Sequence, residues 1–272
     1  MSRVSEVFER TARESRMAFM PFVTAGDPNV ETTAAVLTAL GDAGVDLIEL
    51  GFPYSDPIAD GPVIQASYTR ALNHGLKVPD IFRMMSRLRG NALPPMLAMV
   101  SFAIVFRHGL RAFVEQAAAA GFAGLIVPDL PADESGELSE VCRKHNLDLV
   151  PLIAPTTSPQ RADAILKVAS GFVYCISVAG TTGARTELPV ELTQQLRSLR
   201  HTTALPLAVG FGIGSPDQVA SLAGAADGVI VGSALVRRLA GTSSPSAAAT
   251  AASEFAAAMV AAARPVKPTL RS

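Results

Sequence analysis

The chain has 272 residues, 23 Lys and Arg against 24 Asp and Glu, 49% hydrophobic residues and no Trp. No run of like charge offers a nucleic-acid or membrane patch, and no apolar run approaches the ~18 residues of a membrane span, so a small-molecule partner is expected. Two cysteines without metal-ligand spacing, and charged residues such as Glu6, Glu9, Arg10 and Arg13 where a signal peptide is apolar, predict reduced thiols and a cytoplasmic location.

Val4, Val7 and Phe8 share one face of a helix over the first fifteen residues, which is expected to plug the amino-terminal end of the fold. Residues 17–23 read as the first strand, followed by Asp27-Pro28, a cap and first-turn proline for a helix over 30–43. The second strand, 45–50, is apolar on both faces in the manner of a parallel sheet, yet carries Glu49. A helix over 81–88 leads to a strand over 95–100, and a helix over 110–120 to a strand over 124–127. The alternation continues with a helix at 138–145 holding Cys142, a strand at 147–153, a helix at 161–168 behind Ser158-Pro159, and a strand at 172–178 holding Cys175. A helix at 190–199, a strand at 205–209, a helix at 218–223 behind Ser215-Pro216, and a strand at 229–231 complete the series. The Ala-rich tail, with Phe255, Met259 and Val260 on one stripe, predicts a last helix. Gly44, Gly121 and Gly224 each close a helix just before a strand. Eight βα units predict one α/β domain over residues 1–272, a (β/α)8 TIM barrel with an extra N-terminal helix. A doubly wound open sheet is the alternative, weakened by the missing Gly-x-Gly-x-x-Gly turn after the first strand.

Glu49 and Asp60 are the candidate acid/base pair. An unpaired ionised carboxylate in a buried strand costs several kcal/mol, so Glu49 requires a reason to be there, and strand carboxyl ends are where such folds place their chemistry. The more desolvated Glu49 is expected to have a raised pKa and to shuttle protons, and the looped Asp60 to stay ionised. Two glycine turns, Gly210-Phe211-Gly212-Ile213-Gly214 and Gly232-Ser233-Ala234, follow consecutive strands and suit a phosphate held by backbone N–H groups. The small, hydroxyl-rich segment 177–185 has the composition of a lid, and Tyr174 is placed to face the interior and orient Glu49, or simply to fill the core. His74, His108, His145 and His201 fall at helix ends or in loops without ligand spacing, so no metal is expected.

The runs Pro21-Phe22-Val23-Thr24-Ala25-Gly26-Asp27-Pro28 and Ile48-Glu49-Leu50-Gly51-Phe52-Pro53-Tyr54-Ser55-Asp56-Pro57-Ile58-Ala59-Asp60-Gly61-Pro62-Val63-Ile64-Gln65 resemble the alpha subunit of tryptophan synthase. Val127-Pro128-Asp129-Leu130-Pro131, Gly180-Thr181-Thr182-Gly183, Gly210-Phe211-Gly212-Ile213 and Gly232-Ser233-Ala234 extend the likeness over nearly the whole chain. The resemblance implies a lyase of tryptophan biosynthesis that cleaves indole-3-glycerol phosphate to indole and D-glyceraldehyde 3-phosphate by a retro-aldol reaction. It implies that Glu49 protonates the ring carbon and takes the glyceryl hydroxyl proton, and that Asp60 accepts the indole N–H. Phe22, Tyr174, Thr182, Gly183, Gly210, Phe211, Gly212, Gly232 and Ser233 match substrate- or phosphate-binding positions, with Thr182 in the lid facing the Asp60 loop. It further implies no cofactor in this chain and a partner beta subunit carrying pyridoxal phosphate in an alpha2beta2 assembly. That partner is expected to dock near Pro53, Tyr54, Asp56 and Pro131. The segment Val100-Ser101-Phe102-Ala103-Ile104 departs from the family's Tyr-Asn-Pro pattern, and Phe102 is a candidate for the missing aromatic surface. The alternatives are a mainly activating interaction subunit and a stand-alone indole-producing lyase.

Overall fold

The computed structural model describes residues 1–57, 60–177, 190–210 and 212–264. In chain order the elements are α1 (Arg3–Arg13), β1 (Ala18–Thr24), α2 (Val30–Asp42), β2 (Ile48–Gly51), α3 (Pro62–Asn73), α4 (Val78–Leu88) and β3 (Met96–Met99). There follow α5 (Phe102–His108), α6 (Leu110–Ala120), β4 (Gly124–Ile126), α7 (Gly136–Lys144), β5 (Asp148–Val150), β6 (Leu152–Ile153), α8 (Pro159–Val168) and β7 (Val173–Ile176). The last are α9 (Val190–Thr202), β8 (Leu207–Gly210), α10 (Pro216–Ser221), β9 (Gly228–Val231), α11 (Ser233–Ala240) and α12 (Pro245–Ala262).

The strands pair in parallel in the order β5-β4-β3-β2-β1-β9-β8-β7-β6. The two outermost strands are neighbours in the chain, separated only by Pro151, which has no N–H to donate. β5 pairs with β4 and β6 with β7, so one interrupted strand closes the sheet into an eight-position (β/α)8 TIM barrel. Side chains alternate between its faces. Met20, Leu47, Leu97, Ile126, Val150, Tyr174, Ala208 and Ile230 point inward, while Phe19, Ile48, Leu50, Leu125 and Val173 pack outward against the helices. The extra helix α1 sends Val4, Val7 and Phe8 into the interior cluster, with the Phe8 and Phe172 rings 5.3 Å apart, and so closes the amino-terminal end as expected.

At that end, the buried Asp46 and the half-buried Asp227 join the strand starts. Asp46 accepts the Phe19 N–H at 3.0 Å, Arg10 at 2.7 Å and both terminal nitrogens of Arg16 at 2.6 and 2.8 Å. Asp227 similarly accepts the Leu207 N–H at 2.7 Å and pairs with Arg200 at 2.6 Å. Each aspartate thereby ties one strand to the amide of its neighbour and to a cation outside the barrel.

Several sequence expectations need correction. Asn29, not Asp27, caps α2, its side chain accepting the Thr32 N–H at 2.8 Å. Helices α3, α5 and α11 occupy segments in which no helix was anticipated, and the Gly232 turn runs directly into α11. The capping boxes and glycine stops fare better: Ser158 and Ser215 cap α8 and α10, and Gly44, Gly121 and Gly224 have φ of 80°, 94° and 79°. Among the described residues, no helix is long and apolar enough to cross a membrane.

Removing the Asp46 carboxylate strands two guanidinium groups and one buried amide. Asp46→Ala should lower the unfolding free energy by about 3 kcal/mol, read as a fall in the urea midpoint, and an unchanged midpoint would contradict the clamp.

Candidate active site

Strand alternation decides where Glu49 points. Leu47 faces the barrel interior, so Glu49 two residues on does too, opposite Phe22 on β1 and Leu97 on β3. It is completely buried, and among the described residues neither carboxylate oxygen has a hydrogen-bond partner. Burial alone drives its pKa up to about 8, so it is protonated at neutral pH.

Asp60 sits on the loop that rises from β2 and immediately precedes α3. It is half-buried, and the Tyr54 hydroxyl donates to its Oδ2 at 3.4 Å. Burial raises its pKa, while that hydrogen bond opposes the rise. The expected contrast between the two acids therefore survives as one of setting: Asp60 keeps a donor that favours the ionised form, Glu49 has none. Burial nevertheless raises both acids, Asp60 as well as Glu49, from their ordinary values. Tyr54 is itself pushed up to about 12, by burial first and then by the charge of Asp60. Tyr68 and Tyr174, raised first by burial, both lie within electrostatic reach of Glu49 and of Asp60, at the carboxyl end of the barrel.

Aromatic rings roof that end of the barrel. Phe22 packs with Ile64, Tyr68 and Val236, and its ring lies so close to Gly51 that a Cβ there would overlap it. Tyr174 faces inward from β7, and a Cβ at Gly210 would overlap its hydroxyl. Glycine at 51 and 210 is thus required by the rings, whatever else those positions do. Tyr54, Ile64 and Tyr68 were not among the residues anticipated for the site. The signal for the last two was present, since Pro62 at the first helical position and apolar residues at 64, 68 and 71 describe a helix stripe.

The two glycine turns meet. A Cβ on Gly214 would lie 3.2 Å from the Ala234 Cβ, and one on Gly232 would lie 3.5 Å from the Phe22 Cβ. They differ in what they offer an anion. Gln218 Oε1 already accepts the Gly214 and Ser215 N–H groups at 2.8 and 3.2 Å, closing the start of α10 with its own capping box. The start of α11, at Gly232 and Ser233, has no side-chain cap and keeps its first-turn amides free of one. Gly212, within the first turn, has a φ of 78°. Phe211, Thr182, Gly183 and the lid segment from 178 lie outside the described residues.

The departure at 101–104 is absorbed locally. Ser101 caps α5, its hydroxyl donates to Asp129 Oδ2 at 2.6 Å, and the Phe102 N–H donates to Asp129 Oδ1 at 2.8 Å. Phe102 packs against the outer core and lies 6.2 Å from the Phe106 ring, so it does not supply an aromatic wall inside the barrel. Pro53 is buried, whereas Asp56 and Pro131 are exposed, which removes Pro53 from the expected docking surface. The four histidines lie at the carboxyl ends of α3, α5, α7 and α9. Among the described residues, no three His, Cys, Asp or Glu side chains are grouped to hold a metal.

Residues 8–264 match the family model described as tryptophan synthase alpha chain. The tryptophan synthase alpha chain of Rhodopirellula baltica is 48% identical over 243 residues, covering 88% of this chain and 87% of its own. That of a Picosynechococcus species is 45% identical over 256 residues, covering 94% and 97%. Among solved structures, tryptophan synthase of Mycobacterium tuberculosis superposes with a TM-score of 0.88 at 35% identity, over 97% of this chain and 99% of that one. The alpha subunit from Legionella pneumophila gives 0.87 at 34%, over 96% and 98%.

The burial of Glu49 has a thermodynamic consequence. Its folded-state pKa lies near 8 against an ordinary 4.5, so between those pH values the folded chain holds a proton that the unfolded chain has released. Stability from this group is complete below the lower value and is lost as pH rises through the upper one. Glu49→Gln, neutral throughout, escapes that loss: its Tm advantage over the parent should be larger at pH 9 than at pH 5 by about 5 °C or more. Equal differences at the two pH values would contradict the unpartnered burial of Glu49.

Proposed function

As the chain belongs to the tryptophan synthase alpha chain family and is a lyase cleaving indole-3-glycerol phosphate in tryptophan biosynthesis, we propose that Glu49 is its proton shuttle and Asp60 its charge-stabilising partner. The observation that carries this reading is the carboxyl group of Glu49, buried, unpartnered and protonated at neutral pH.

The reaction asks for a group that gives a proton and then takes one back. Protonated Glu49 delivers its proton to the indole carbon that bears the glyceryl chain, leaving a cationic ring and a carboxylate with no hydrogen-bond donor. That carboxylate is a strong base because nothing else stabilises it. It removes the proton from the hydroxyl on the adjacent glyceryl carbon, whose oxygen becomes the aldehyde carbonyl. The carbon–carbon bond breaks, and its electron pair returns to the ring, releasing indole and glyceraldehyde 3-phosphate. Glu49 ends protonated, as it began. Asp60 accepts the indole N–H and meets the positive charge that develops on the ring.

The same reading assigns substrate contacts. Phe22 and Tyr174 line the ring site, and the uncapped start of α11 at Gly232 and Ser233, beside Gly210 and Gly212, receives the phosphate. Phe211, Thr182 and Gly183 complete the set by resemblance. The chain works in the cytoplasm with a tryptophan synthase beta chain. We assign it an alpha2beta2 assembly, docked through exposed Asp56 and Pro131 and the aromatic pair Phe102 and Phe106, the latter 72% exposed.

Indole extracted into an apolar solvent reports turnover, because the charged phosphate keeps the substrate, which carries the same ring, in the water. Incubating the purified chain with indole-3-glycerol phosphate should release indole, Glu49→Gln should lower the rate by about 10²–10⁴, and the parent's rate should fall as pH rises past about 8. Full activity in Glu49→Gln would remove Glu49 from the mechanism. Mixing with a purified beta chain and measuring mass by light scattering should give two copies of each, and a mass equal to the separate chains would contradict the assembly.

A further inference from the structure

Among the described residues, the Asp60 side chain is touched by one long hydrogen bond, from Tyr54, and Gly61, the residue before α3, provides no side-chain cap. A side chain from α3 reaches across to the loop. Gln65, half-buried on α3, donates from Nε2 to the Asp60 carbonyl at 2.7 Å and to the Pro57 carbonyl at 3.1 Å. The Pro57 oxygen also accepts the Asp60 N–H at 3.1 Å, so a single amide clasps both ends of the turn that presents Asp60.

The helix behind Gln65 is held firmly. Ser67 shares a 2.7 Å hydrogen bond with Thr24 at the end of β1, both fully or almost fully buried. One turn later Arg70 grips Asp27 with two bonds of 2.8 and 2.7 Å, on a carboxylate that is 7% exposed. Tyr68, between them, packs into the roof beside Gly51. α3 is therefore fixed to the barrel rim at three successive places, and the Gln65 amide passes that fixity to the loop. The same stretch supplies Ile64 and Tyr68 to the roof, so loop and ring site are held by one helix.

We propose that Gln65 is a positioning residue that sets the place of the Asp60 carboxylate. The inference rests on the role given to Asp60 above and adds to it the group through which the scaffold holds that acid. Gln65 touches no reacting atom; it acts through the main chain of Asp60. Misplacing a reacting group by about 1 Å can cost 10²-fold in rate, so a lost clasp is visible in turnover rather than in folding.

The test is a cycle of variants assayed for indole release from indole-3-glycerol phosphate. Gln65→Met keeps length and helix preference but has no donor, and should lower kcat by about 10-fold or more with KM changed by less than about 3-fold. Gln65→Glu, whose carboxylate faces two carbonyl oxygens, should be impaired at least as much and guards against a defect peculiar to Met. In an Asp60→Glu chain, whose carboxylate is already displaced by one methylene, Gln65→Met should change kcat by less than about 2-fold. An equal loss in both backgrounds, or no loss in either Gln65 variant of the parent, would overturn the inference. Full turnover by Asp60→Asn would instead remove Asp60 from the mechanism and leave the clasp without a function, a separate failure.

Discussion

A carboxyl group with no hydrogen-bond partner among the described residues, enclosed by a closed parallel sheet, favours its protonated state at neutral pH. Ionising Glu49 would place a charge in a fully buried position where no described residue donates to it, and the pKa near 8 expresses that penalty. The rest of the site follows from this constraint. A proton held against its ordinary tendency to leave can be given to a weakly basic carbon, and the base left behind has no stabilising partner to blunt it. Asp60, with a tyrosine hydroxyl to favour its charged form, is suited to the complementary task of facing a cation.

Asp46 and Glu49, at opposite ends of the barrel, are equally buried and differently held. At the amino-terminal end, Asp46 is as buried as Glu49 yet accepts bonds from two arginines and one backbone amide, and Asp227 pairs with Arg200 and the Leu207 amide. Those carboxylates stabilise the closed sheet. At the other end, polar groups are left with needs a substrate can meet: the bare oxygens of Glu49 and the uncapped start of α11.

How much of this was legible in the residues alone depends on the kind of signal. The barrel could be read because each strand is a short apolar run and several helices begin at a capping serine or end at a glycine, as at Ser158, Ser215, Gly44 and Gly121. Glu49 stood out as a charge in an apolar strand, and alternation from Leu47 was enough to turn it inward. Helix α3 was missed because its stripe, through Ile64, Ser67 and Tyr68, follows a run of Pro, Gly and Asp that reads as one long loop. Helix α11 was missed because Gly232-Ser233 has the look of a turn, and the helix behind it carries no capping side chain. Asp27 read as a cap from its place before Pro28, but its carboxylate is spent on Arg70, a contact forty-three residues away that no local pattern reveals. The clasp from Gln65 is invisible for the same reason: it exists only once α3 is seen to run beside the loop.

The protonation of Glu49 can be observed without turnover. In protein labelled with ¹³C at the glutamate side-chain carboxyl, the signal absent from Glu49→Gln identifies Glu49 and can be followed through a pH titration. The account predicts a midpoint near 8, and a midpoint at the ordinary value near 4.5 would contradict it.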